Sequence, residues 1–272
     1  MGRYLDVVGT RDNPLQGLSL DGWLSPALAT ASVPVAAVDG PRYDLWGPDV
    51  WGEVEDAMMR RFPRLGALHA AAGGDLGTAG EVAVHAGRVR EQLRPFADGG
   101  GLGTPVTYPQ GWFPDNLAAL AAILDAGLPV RCAALRAAGE YDTHDHQAND
   151  FAQDLRLASD SLKAFQRDLE ARGLADRVLV QVWSEFGRRV EENGSEGTDH
   201  GAAGVGFLMG SRTTGTMVGE FPSLTNLDED DNLRATSDFR ATYCSLLEQW
   251  FDTDAAAVVP DASSFGRPTL ID

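Results

Sequence analysis

The run Arg177-Val-Leu-Val-Gln-Val-Trp183 limits what this chain can fold into more than any other stretch. Alternate β-branched residues favour a strand, and seven residues are too few for an ordinary helix. Directly before it, Asp150 to Arg172 sets Leu155, Leu162, Phe165 and Leu169 along one side at helical spacing. Val130 to Leu135 is an earlier apolar run that fits a buried strand, and Val205 to Gly210 is a later one. Strand, helix, strand, polar loop, strand is the order of a parallel sheet with helices packed on it. The expected fold is therefore α/β, a mainly parallel sheet flanked by helices.

Other elements are spaced around that pattern. Leu15 to Leu20 and Val33 to Val38 are short runs suited to strands and loops. Asp49 to Phe62 has Val50, Val54 and Met58 at helical spacing, and Pro63 is expected to end it. Gly80 to Phe96 reads as a second amphipathic helix. Asn116 to Asp125 reads as an apolar helix, with Pro114 near its start where a missing N–H costs little. Phe239 to Phe251 is a closing helix. With 272 residues the chain suits one α/β domain or two small ones; a single domain is expected, and Gly99 to Gly103 is the best placed hinge.

Charge narrows the partners. Forty acidic residues against 22 basic ones give a formal charge of -18, a field that repels phosphate backbones and anionic headgroups. No nucleic acid and no membrane are expected as partners. No apolar run reaches the roughly 18 residues of a spanning helix, and Met1-Gly-Arg-Tyr-Leu-Asp does not open an export signal. As it stands the chain is expected to stay in the cytoplasm. Cys132 and Cys244 are too few for a cysteine-rich zinc site and read as buried, reduced thiols.

The chemistry concentrates between Glu140 and Gly204. Three of the five histidines fall there, in two polar clusters that follow strand-like runs. Tyr141-Asp-Thr-His-Asp-His-Gln brings Asp142, His144 and His146 within five residues. Mixed carboxylate and imidazole donors suit zinc, manganese or iron, whereas an all-oxygen set would favour calcium or magnesium. The competing reading is an exposed polar loop that caps the helix beginning near Asp150. The second cluster holds Glu185 just off a strand end, Arg188 and Arg189, and then Asp199 and His200. The arginines either neutralise an oxyanion or pair with Glu191 or Glu192 on the surface. Gly194, Gly197 and Gly201 are expected to permit the turns that return Asp199 and His200 toward Glu185. Sites in open parallel sheets form at the carboxyl ends of strands, so both clusters should meet on one edge. His69 and His85 lie among small or apolar neighbours and read as packing or surface residues. Ser184 has no nucleophile elbow around it, and no phosphate-binding glycine motif is present.

Four blocks, Asp12 to Gly22, Tyr141 to Gln147, Ser184 to Gly204 and Ala235 to Trp250, resemble the bacterial domain of unknown function 1501 family. That family is placed with the alkaline phosphatase and sulfatase superfamily. The resemblance implies an alkaline-phosphatase-like α/β sandwich with one or two metals that hydrolyses phosphate or sulfate esters. It implies a divalent cation (zinc, manganese, calcium or magnesium) held by Asp142, His200 and either His144 or His146. Glu185 would stand as a second-metal carboxylate and Asp199 would assist, with Glu185 and Arg188 serving catalysis on a small-molecule ester. Family members open with an export signal, a strand and a glycine-rich loop, whereas Gly2-Arg3-Tyr4-Leu5 matches a helix well inside them. The expectation is an amino-terminally shortened fold whose nucleophile region lies upstream. Such a chain would expose a sheet flank and tend toward homo-oligomers. The alternative to an enzyme is a catalytically silent binding or assembly module that keeps the fold and a residual metal site.

Overall fold

In a computed structural model the parallel sheet is small and central to the first half of the chain. The structure describes residues 1–40, 50, 52–99 and 103–272. These separate into two units, Met1–Ala137 and Ala138–Asp272. Most of the hinge expected at Gly99 to Gly103 lies outside the described residues.

In the first unit, β1 (Gly17–Ser19) runs parallel to β2 (Ala36–Ala37) on one side and β3 (Cys132–Ala134) on the other. β1 is buried along its whole length, as the centre of a parallel sheet must be. Helices α1 (Gly2–Val8) and α4 (Trp112–Asp125) supply buried Tyr4, Leu5, Leu117, Leu120 and Ile123 to this core. Gln16 is 1% exposed. Its amide donates to the carbonyls of Thr10 and Pro34 and accepts from the Thr10 N–H, each at 2.9 Å, so its burial carries no orphaned polar atom. Ser19 donates to the Trp23 carbonyl and Asp21 accepts from the Arg136 N–H. The polar residues of the Asp12 to Gly22 block thus hold turns.

Two further helices of this unit, α2 (Glu53–His69) and α3 (Gly74–Leu93), form an antiparallel pair. Pro63 lies inside α2 and does not end it. The proline ring sits over Gly87 of α3, where any side chain would come within 2.6 Å of the ring. Gly66 and Gly80 likewise let the two backbones touch.

The second unit is helical and antiparallel. α5 (Phe151–Ala171) buries Phe165 and Leu169 of the expected face, together with Ala164, whereas Leu162 is half-buried and Leu155 exposed. β4 (Val180–Val182) pairs antiparallel with β7 (Phe207–Met209), so the valine-rich run does not extend a parallel sheet. The stretch expected as a polar loop is a hairpin of β5 (Gly187–Glu192) and β6 (Thr198–Gly201). α6 (Phe239–Gln249) is capped by the Asp238 carboxylate, which accepts from the Arg240 N–H, and buries Cys244, Leu246 and Leu247. The carboxy-terminal Leu270 and Ile271 pack on Leu246 together with Leu179, Leu208 and Trp250. The class is α/β with small sheets, one of them parallel. Among the described residues no helix is long and apolar enough to cross a membrane. Both cysteines are buried and free, and burial pushes the Cys132 thiol up to about 11.

Candidate metal centre

The Asp142 to Gln147 segment reaches His200 by docking on the β5–β6 hairpin as a partial extra strand. His146 N–H donates to the Ser195 carbonyl and Gln147 N–H to that of Glu196, both at 2.9 Å, while Thr198 N–H donates to Thr143 at 3.3 Å. Asp145 and Glu196 form an isolated antiparallel bridge. The approach demands glycine at 197: a Cβ there would lie 2.2 Å from the backbone carbon of His144. Neither Gly194, Gly197 nor Gly201 has a positive φ; Glu196 takes that conformation, at 61°. Gly197 and Gly201 therefore permit close approach, Gly194 has open space around it, and the expected turn-forming role falls to a non-glycine neighbour. The site is built on antiparallel pairing within one unit and not on the carboxyl ends of a parallel sheet.

This docking brings Asp142, His144 and His200 together. His200 Nε2 is 2.8 Å and His144 Nε2 3.1 Å from Asp142 Oδ1, and the two Nε2 atoms are 3.1 Å apart. A tetrahedral cation bound at zinc-like distances separates its ligand atoms by roughly 3.3 Å. An opening of a few tenths of an ångström would admit one. The donor set of two imidazoles and one carboxylate suits zinc or manganese better than calcium or magnesium. All three side chains are about half exposed, which leaves further coordination positions open to water or substrate. Hydrogen bonding from His200, then the charges of the histidines and Arg188, hold the Asp142 carboxyl below its ordinary range, so it stays an anion.

Neighbouring groups fix this trio. Arg188 lies directly across the hairpin from His200, so both side chains project from one face. Its guanidinium donates to the carbonyls of Tyr141 (2.6 Å) and Thr198 and approaches Asp142 Oδ1 at 3.4 Å. Phe186 stacks on the His200 ring at 3.7 Å between centroids, and Arg188 lies 4.9 Å from the same phenyl centroid. Asp199 faces the other nitrogen of His144, with Oδ1 3.4 Å from Nδ1. Asn193 donates to the His144 carbonyl (2.8 Å) and to Asp199 (3.2 Å) while accepting from the N–H groups of Ser195 and Gly197. That bond from Asn193, followed by the one from His144, keeps the Asp199 carboxyl below its ordinary range.

The remaining candidates stand apart. His146 has φ 43° and places Nδ1 3.1 Å from Glu196, away from the trio. Glu185 is exposed between β4 and β5 and is not among the converging groups. His69 ends α2 and His85 lies within α3, both in the first unit. Residue-type reasoning passed over Asn193 and Phe186, which bear no ligand chemistry; the Asn193-Gly194 dipeptide, a common hairpin signal, was the available clue.

Among curated proteins and among solved structures, none matches this chain. A family model described as a protein of unknown function, DUF1501, matches residues 116–255, a span that contains the trio, the hairpin and α6. The chain belongs to the DUF1501 family.

Proposed function

We propose that Asp142, His144 and His200 bind one divalent cation, zinc or manganese, and that the protein hydrolyses phosphate or sulfate esters at this centre. The observation that carries the reading is the convergence of three ligand atoms from segments 58 residues apart on one half-exposed spot. When bound, such a cation supplies Lewis acidity toward an ester oxygen. Asp142 would hold it with a charge that persists into acid, and the two imidazoles would hold it as neutral donors. Asp199, facing His144 Nδ1, favours the tautomer whose Nε2 lone pair points into the trio. Arg188, fastened by backbone carbonyls, is a fixed positive charge beside the trio and would draw the anionic group of an ester.

Glu185 is not among the converging ligand groups, which favours a second reading, a binding module that holds one cation and turns nothing over. Titration of chelator-treated protein with zinc and manganese separates the possibilities. Stoichiometric binding in the wild type that His200→Ala and Asp142→Asn abolish supports the centre; no binding removes it. Metal-dependent release of an aryl phosphate or aryl sulfate supports hydrolysis, and binding without release supports the module.

A further inference from the structure

α2 is an amphipathic helix turned the wrong way. It meets α3 through Gly66 and Pro63, and Gly66 is its sole buried residue. Val54, Met58, Phe62, Leu65 and Leu68 are instead 46–75% exposed. At 100° per residue these five fall within about 120° of arc, one continuous apolar stripe along the helix. An isolated exposed leucine is ordinary, but a five-residue stripe on one helix needs a cover.

The charges on the same helix identify the cover. Glu53, Glu55 and Asp56 precede Arg60, Arg61 and Arg64, so the acidic half is matched by a basic half. Three acids and three arginines cancel, making this helix locally neutral in a chain whose net charge is -18. Copies of so acidic a protein repel one another, and a neutral face is where they can approach. The order of the charges also selects the orientation. Parallel copies would set acid against acid, whereas antiparallel copies set acid against base.

We propose that α2 is the self-association surface of this protein, pairing antiparallel with α2 of a second copy about a two-fold axis. One register, centred near Met59 and Arg60, pairs four of the five apolar residues and leaves Leu68 beyond the paired span. It sets Met58 against the second copy's Phe62, Val54 against Leu65, and Glu53 within a turn of Arg64. Glu53 and Arg64 lie along the same edge of the stripe, so each pair forms twice by symmetry. Arg61, the one charge inside the stripe, folds back to donate to the Ala57 carbonyl of its own helix at 3.0 Å. The four paired apolar side chains leave about 400 Å² open on each copy, so pairing covers about 800 Å² in total, the size of a weak, transient interface. The dimer is accordingly a reversible one.

Analytical ultracentrifugation of the full chain across a concentration series tests this. The wild type is expected to move from monomer to dimer and to stop there. Leu65→Glu is expected to stay monomeric with unchanged helical circular dichroism. Glu53→Arg and Arg64→Glu are each expected to weaken the dimer about tenfold, since each change acts twice. The double variant restores the opposite pairing and should recover most of the affinity. A monomer at all concentrations, dimerisation indifferent to Leu65→Glu, or a double variant no better than the single ones would overturn the proposal. So would growth beyond the dimer, or a monomer that captures phosphatidylcholine vesicles through the same stripe.

Discussion

Replacing Gly197 with alanine should disable the candidate centre without touching any ligand. The new Cβ would lie 2.2 Å from the His144 carbonyl carbon, 2.4 Å from its oxygen and 2.6 Å from the Asp145 nitrogen. All three are backbone atoms, so no side-chain rotation relieves the clash. Restoring an ordinary 3.4 Å contact needs a displacement of about 1.2 Å. That motion breaks or stretches the bonds from His146, Gln147 and Thr198 that dock the segment. At about 1 kcal/mol each, the loss is about 2–3 kcal/mol. His144 moves with its backbone, and a ligand shifted by an ångström should weaken cation binding on the order of 10–100-fold. Thermal unfolding and zinc titration read the two effects separately. Gly194→Ala is the matched control, because a Cβ there meets nothing within 4 Å. It should be neutral or stabilise the protein by a few tenths of a kcal/mol. If Gly197→Ala binds zinc as the wild type does and melts at the same temperature, the docking of this segment on the hairpin is wrong.

Three other outcomes follow from the same geometry. Asn193→Ala removes two donor and two acceptor bonds at the hairpin turn and should cost about 2 kcal/mol by denaturant unfolding. Asn193→Asp keeps the acceptors but faces Asp199 with a second carboxylate, so it should recover only part of that stability. His144→Ala should lose stoichiometric zinc binding in calorimetry while His146→Ala retains it; equal loss in both would mean that His146 belongs to the centre. The Cys132 thiol is raised from 9.0 to about 11 by burial, so the fold favours its protonated form. Its contribution is complete below pH 9, where folded and unfolded thiols both keep the proton. It then falls by about 3 kcal/mol between pH 9 and about 11, as only the unfolded thiol ionises. Unfolding curves of wild type and Cys132→Ala should converge over that window, and a constant difference would show that the thiol is not desolvated.

Much of the secondary structure was legible because periodicity reports burial. α5 and α6 lie where their apolar spacing puts them, and β1, β2, β3, β4 and β7 fall inside the five apolar runs. Pairing was not legible. A valine-rich strand buries equally well beside a parallel or an antiparallel neighbour, and only tertiary contacts chose β7 for β4. Pro63 was expected to end its helix and lies inside α2, because propensity is a weak prior that tertiary packing overrides.

The site divides along the same line. Residue chemistry alone singled out Asp142, His144, His146 and His200, because histidines are scarce and three of the five lie beside carboxylates in two short clusters. Which histidine would face the trio depended on one backbone angle. His146 in the left-handed region aims its ring at Glu196, and no property of the sequence Asp-Thr-His-Asp-His specifies that angle. The hairpin was hidden because Gly187 to Glu192 and Thr198 to Gly201 are polar on both faces, so no burial alternation marks them as strands. Yet that polarity is what the site uses. Arg188 and His200 project side by side from one face of the hairpin. The hairpin is held by backbone pairing, by Asn193 at its turn and by glycines where other segments touch it, and its side chains are thereby free to serve as ligands and charges.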